Sequence, residues 1–244
     1  MKQLHPLNCL LLVCLILSIY ACDFTHLSNE LDTYRKVQVA GAMKNVMWKG
    51  ELGGIISLDT IAQRKGLYGL GPLSHLKGEI LINDGITYIS KVTSDSSMIV
   101  EETPQVSAPF FVYGNVIEWE SINLPDDIKS IKDLEVFIDE KTKTHSRPLV
   151  FKLIGEVDEA KIHVQNLPEG VAVSSPEEAH QGQVKYQISK SEVEIVGFFS
   201  TEHQGVFTHH DTFLHMHLIT KDKKMMGHLD EVALGQMRLY LPEK

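Results

Sequence analysis

Residues 213–231 read FLHMHLITKDKKMMGHLDE. Leu214, Met216 and Leu218 alternate with His215 and His217. As a strand, the stretch turns three apolar side chains to one face and two imidazoles to the other. TKDKK is a polar turn and MMGHLDEVAL a return strand. A turn centred on Asp222–Lys223 sets His217 opposite His228, and opposed residues share a face with Cβ atoms about 4.5–5.5 Å apart. His215 lies one pleat along. Three imidazoles then converge within one hairpin, and three histidines with an open fourth position suit a catalytic zinc ion. A slip of one residue would turn His228 to the other face. A His-x-His pair alone is most often a surface or core pair, so the third histidine in register carries the metal reading. His203, His209 and His210, just upstream, read as loop residues.

Outward from the hairpin, short strands dominate. VQVAGAM (37–43) alternates as a strand, and SLDTIAQR (57–64), capped by Ser57, reads as a short helix. GEILI and ITYISKV flank NDG, a strong hairpin signal. APFFVYGNVIEWESI (108–122) is strand-like. SIKDLEVFIDEKTK (130–143) is the clearest helix: Ser130 caps it, and Ile131, Leu134, Phe137 and Ile138 share one face. LVFKLIGEV and AKIHVQNL read as a hairpin around Gly155–Glu159, with VKYQIS and VEIVGFFS as further strands. Many short strands with few helices make an α+β or mostly β architecture.

The chain has 244 residues, 43% of them hydrophobic, and a formal net charge of −9. That length supports a real core, and the acidic balance argues against a nucleic-acid partner. The N-terminus reads as an export signal. Lys2 precedes an apolar run from Leu10 to Ala21, too short to span a bilayer comfortably. It ends IYAC, which looks like a bacterial lipobox with Cys22 as the lipidated first residue. The expectation is a signal peptide over 1–21, a tether over 22–36, and an exported lipoprotein held to the cell envelope through Cys22 alone. The cysteines are Cys9, Cys14 and Cys22. After cleavage no free thiol would remain, so a metal site must use histidine and carboxylate.

FLHMHLITKDKKMMGH resembles the His-x-His, polar turn and Gly-His segment of the acetolactate decarboxylases. The likeness extends to GELGGIISLDTIAQRKGLYGLGPLSHLKGEILINDGITY, APFFVYGNV, SIKDLEVFIDEKTKTHSRPLVFKLIGEVDEAKIHV and VEIVGFFS, covering roughly 37–168 and 183–242. The resemblance implies an α+β fold of two β-rich lobes, one a mixed sheet and one an antiparallel barrel-like sheet. The lobes are expected over 37–125 and 126–244, with a zinc site in the cleft between them. It implies conversion of 2-acetolactate to acetoin and CO2, with Zn2+ held by His215, His217 and His228 and Glu79 as the active-site glutamate. Two departures stand out. The family's carboxylate-binding arginine is matched by His163, and Arg64, Arg147 and Arg238 have no motif that makes them substitutes. The family's second glutamate, beyond a Leu-Pro segment, has no assigned counterpart near LPEK; Glu243 is a poor match. Both keep open a relative acting on another hydroxy-keto acid, and a non-catalytic lipoprotein binding zinc or a small ligand.

Overall fold

Period-two alternation accounts for two sheets that pack against each other. In the computed structural model the described residues are 36–243, and the expected signal sequence and Cys22 lie outside them. The first half of the chain contains β1 (Gln38–Ala40), helix α1 (Met43–Lys49), β2 (Ile56–Ser57), β3 (Leu67–Pro72) and β4 (Glu79–Asn83). Then follow β5 (Ile86–Ser94), β6 (Ser97–Glu102), β7 (Ser107–Ala108) and β8 (Phe111–Asn115). The first sheet has the order β1-β8-β3-β4-β5-β6, and β2 pairs separately with β7. Every pairing in it is antiparallel, not mixed. The connections explain this. Asp84–Gly85 joins β4 to β5 with positive φ at both residues, the backbone of a tight hairpin turn. Parallel pairing would need a crossover of a dozen or more residues.

The second half contains β9 (Trp119–Asn123), α2 (Ile131–Lys141), β10 (Leu149–Val164), α3 (Pro176–Ala179), β11 (Val184–Phe199), β12 (Leu214–Thr220) and β13 (Met226–Pro242). The order is β10-β11-β12-β13-β9, and β10 also pairs with β13. The sheet therefore closes on itself as a barrel-like ring. Leu153, Ile162, Ile195, Leu218 and Leu229 fill it together with Leu134 and Ile138 of α2. A second cluster lies between the sheets. Leu70, Leu81, Tyr88 and Val112 come from one, Val196, Phe198, Ile219 and Met226 from the other.

Helix α2 forms where the sequence predicts it. Ser130 Oγ accepts from Asp133 N at 3.2 Å and Asp133 Oδ2 accepts from Ser130 N at 2.9 Å, a reciprocal cap. Such a cap contributes about 1 kcal/mol. Leu134 and Ile138 are fully buried, and Leu134→Ala would cost about 2–5 kcal/mol.

Four local expectations are corrected. The 37–43 strand stops at Ala40, because Met43, Val46 and Met47 have helical spacing and are buried by α1 against Leu76 and Phe110. The 57–64 helix shrinks to a single turn, Leu58–Thr60, as the Thr60 hydroxyl donates to the Ser57 carbonyl. The 108–122 strand divides: β8 lies in the first sheet and β9 pairs with β13 in the second. Gly155–Glu159 does not turn. β10 runs through it and bends where its register with β13 shifts. Gly155 permits the bend, since a Cβ there would lie 2.1 Å from the Gln236 carbonyl oxygen.

Candidate metal centre and the carboxylate facing it

Which face a strand residue occupies is set by its apolar neighbours. Leu214, Met216, Leu218 and Leu229 point into the ring, whereas Ile219 and Met226 pack between the sheets. His215, His217 and His228 alternate with the first set and therefore face the first sheet. His163 follows the same rule between Ile162 and Val164, which are ring-core residues. Register completes the cluster. His217 pairs with His228 across β12 and β13, and His163 pairs with His228 across β10 and β13. His228 is thus flanked by histidines on both neighbouring strands. From the first sheet, Glu79 opens β4 on the face of Leu81 and points back at them.

One nitrogen from each of His215, His217 and His228 lies within 4.8 Å of the others. All three residues are buried. The rings sit 5.1–5.5 Å apart: His215–His217 at 5.2 Å, His215–His228 at 5.1 Å and His217–His228 at 5.5 Å. Among the described residues, Nδ1 of His215 and both ring nitrogens of His217 are buried without a well-formed hydrogen bond. Buried polar atoms in proteins are almost always partnered, so this donor set fits a metal ion. Burial holds His215 and His228 well below the ordinary imidazole value, reinforced by the neighbouring histidines. Burial, with His163 adding to it and the Ile80 backbone opposing, pushes His217 down to about 3. Neutral imidazole is the form that binds metal.

Glu79 is 3% exposed. Its Oε2 lies 3.7 Å from His217 Nε2, and its Oε1 lies 3.9 Å from His163 Nε2. Oε1 also accepts from the Gln165 backbone N–H at 3.2 Å. Burial raises its pKa well above the ordinary carboxylate value, the Gln165 backbone hydrogen bond opposes this, and Asp230 adds to it.

Asp230 and His180 join the cluster without having been singled out in the sequence, and His209, which reads in sequence as a loop residue, joins it too. Asp230 Oδ1 accepts from His163 Nδ1 at 2.6 Å. It stands two residues after His228, so strict alternation could have found it. The His209 ring lies 5.1 Å from that of His228, edge to face. Nothing in the loop sequence reveals this. His180 is shifted down by burial and then by His163 and His209. His163, His228 and Asp230 form a second potential metal group, but it shares His228, and its other two members already bond each other. A cavity of about 500 Å³ adjoins the cluster, lined in part by Glu135, His209, Met216, His228 and Asp230. That volume suits a small ligand. Arg64 is committed to the Gly85 carbonyl and Thr87, and Arg147 to Asp139.

The fold and its sequence agree with known proteins. The chain matches the family model for alpha-acetolactate decarboxylase over residues 40–243. It is 24% identical over 196 residues to the alpha-acetolactate decarboxylase of Streptococcus thermophilus, covering 76% of this chain and 75% of that one. The alpha-acetolactate decarboxylase structure from Bacillus subtilis strain 168 superposes with a TM-score of 0.66 at 19% identity, over 85% of this chain and 86% of the other. A Staphylococcus aureus protein of unknown function, described as similar to alpha-acetolactate decarboxylase, gives 0.67 at 17% identity over 84% of each chain. With the family model matched over residues 40–243, the chain belongs to the alpha-acetolactate decarboxylase family.

Proposed function

We propose that the protein is a zinc-dependent lyase that converts 2-acetolactate to acetoin and CO2. The observation that carries this is the meeting of Glu79, from one sheet, with His215, His217 and His228 of the other, whose ring nitrogens include three with no well-formed hydrogen bond among the described residues. The histidines would hold Zn2+, and the ion would supply Lewis acidity toward the substrate's keto and hydroxyl oxygens. Decarboxylation breaks the bond between the carboxyl carbon and C2, and its electron pair passes into an enediolate. Glu79, whose pKa burial raises, would deliver its proton to the enediolate carbon. His163, beside Glu79, presents Nε2 to the same space.

The mature chain should be assayed for bound zinc and for acetoin formed from racemic 2-acetolactate. Stoichiometric zinc without turnover at saturating substrate would reject the decarboxylase reading and leave a binding protein. A second substrate reading, another small hydroxy-keto acid, is favoured by His163 bonded to Asp230 where the family carries arginine. Imidazole lacks the bidentate fork with which guanidinium grips a carboxylate. A panel of hydroxy-keto acids ranked by kcat/KM separates the two. Export and lipid anchoring at Cys22 belong to the same proposal on the sequence of residues 10–22, and a Cys22→Ser variant that still partitions with membranes would overturn them.

A further inference from the structure

We propose that Asp230 is the positioning residue of the site. It fixes the ring of His163 so that Nδ1 is turned away and Nε2 alone faces Glu79 and the substrate. Between β10 and β13 the register runs His163↔His228, Ile162↔Leu229 and then Lys161↔Glu231, so Asp230 has no partner on β10. It is the extra residue of a β-bulge. Bulges re-aim a side chain without breaking the ladder on either side, and they gather next to active sites. The two consecutive acids then divide the work. Glu231 Oε1 takes Lys161 Nζ at 2.7 Å, which leaves Asp230 for His163 at 2.6 Å. A carboxylate only accepts, so Nδ1 of His163 is the donor. The ring has a second constraint, stacking on His228 at 4.6 Å with 29° between planes. Hydrogen bond and stack together fix both its rotation and its flip state. The nitrogen left to face Glu79 is then Nε2, 3.9 Å from its Oε1. An isolated neutral imidazole prefers its proton on Nε2, so a carboxylate on Nδ1 changes what the ring offers to a ligand.

The consequence for activity rests on the function proposed above; the consequence for the ring does not. Zinc-loaded protein labelled with 15N-histidine should be compared as wild type, Asp230→Leu, Asp230→Asn and Glu231→Gln. His163→Gln identifies the His163 signals in the two-bond 1H–15N correlation. In the wild type His163 should show a protonated Nδ1. In Asp230→Leu that proton should leave Nδ1, and kcat/KM for 2-acetolactate should fall about 10–100-fold, the range for losing an orienting partner. Zinc content should stay unchanged. Asp230→Asn, which keeps an acceptor oxygen, should restore most of both readouts, and Glu231→Gln should alter neither. An unchanged His163 pattern in Asp230→Leu overturns the inference. So does zinc lost in step with activity, which would make Asp230 a support of the metal. If wild type shows no turnover, the functional proposal fails and the nitrogen pattern still decides the role of Asp230.

Discussion

A half-buried lysine and a buried histidine cluster lie between the same two sheets, and they are treated in opposite ways. Lys152 of β10 is enclosed by aromatic rings. Its Nζ lies 4.8 Å from the Trp119 ring centre, 5.0 Å from Tyr240 and 5.5 Å from Tyr68. Tyr68 comes from the first sheet and the other two from the second. The Tyr68 hydroxyl lies 3.5 Å from the ammonium. Everything this cation needs is supplied by the chain. The histidine cluster has no such provision: both ring nitrogens of His217 are buried and make no well-formed hydrogen bond among the described residues. A protein leaves a buried polar group in that condition only at a cost. The lysine therefore acts as a strut joining the sheets, and the histidines as a site.

The sharpest way to break this contrast is to remove a histidine. His217→Ala should lower metal affinity by more than about 100-fold, beyond what losing a mere orienting partner costs, and abolish turnover with it. Zinc titration by calorimetry reads the first and acetoin formation the second. If His217→Ala binds zinc like the wild type, the cluster is structural after all. Glu79→Gln comes next. It keeps the shape and the Gln165 hydrogen bond but removes the deliverable proton, so kcat should fall about 10²–10⁴-fold. Zinc content should hold. Loss of zinc in that variant would place Glu79 with the metal ligands instead.

The difference between the two regions also explains what could be read in the sequence. The hairpin was legible because its turn and its alternation are local: Leu214, Met216 and Leu218 fix the face, and the turn fixes His217 against His228. The NDG turn and the Ser130 helix were legible for the same reason. The join of β10 across Gly155 was not, since glycine there permits close approach to Gln236 and imitates a turn. Pairing of β10 with β13 closes the ring and brings His163 beside His228, and no short-range pattern encodes it. Asp230 follows His228 by two residues and so shares its face, but its bond to His163 depends on that same β10–β13 pairing. His209 depends on how a loop folds back, and Lys152 on three aromatics dispersed over the chain.

Acid tests the histidine region at intermediate strength. A histidine with a depressed folded constant stays neutral when folded and gains its proton on unfolding. Its contribution to stability is therefore complete above the unfolded value near 6.5 and is lost as pH falls toward the folded value, about 3 for His217. Glu79 has the opposite sign: its raised constant favours the folded state below about 4.5 and the benefit fades as pH rises. Metal-free protein should thus lose thermal stability from about pH 6.5 downward. Replacing His217 by leucine should flatten that slope, while Glu79→Gln should not. Equal slopes in wild type and His217→Leu, measured by calorimetric Tm across pH 4–8, would contradict the burial of neutral imidazole.

The lysine cage should yield the smallest effect, and for a physical reason. Lys152→Met keeps the unbranched stem and the ring contacts and removes only the charge. Each cation–π contact is worth about 0.5–2 kcal/mol, but burying the ammonium carries its own penalty, visible in the downward shift that burial imposes on Lys152. The terms offset, so a net loss of about 1 kcal/mol is expected, or roughly 2–4 °C in Tm at this chain length. Zinc affinity and kcat should not move, because every partner of the cation is itself structural. A fall in zinc affinity in Lys152→Met would show that the two regions are coupled through the packing between the sheets. The contrast between a satisfied strut and a ligand-seeking cluster would then describe one device rather than two.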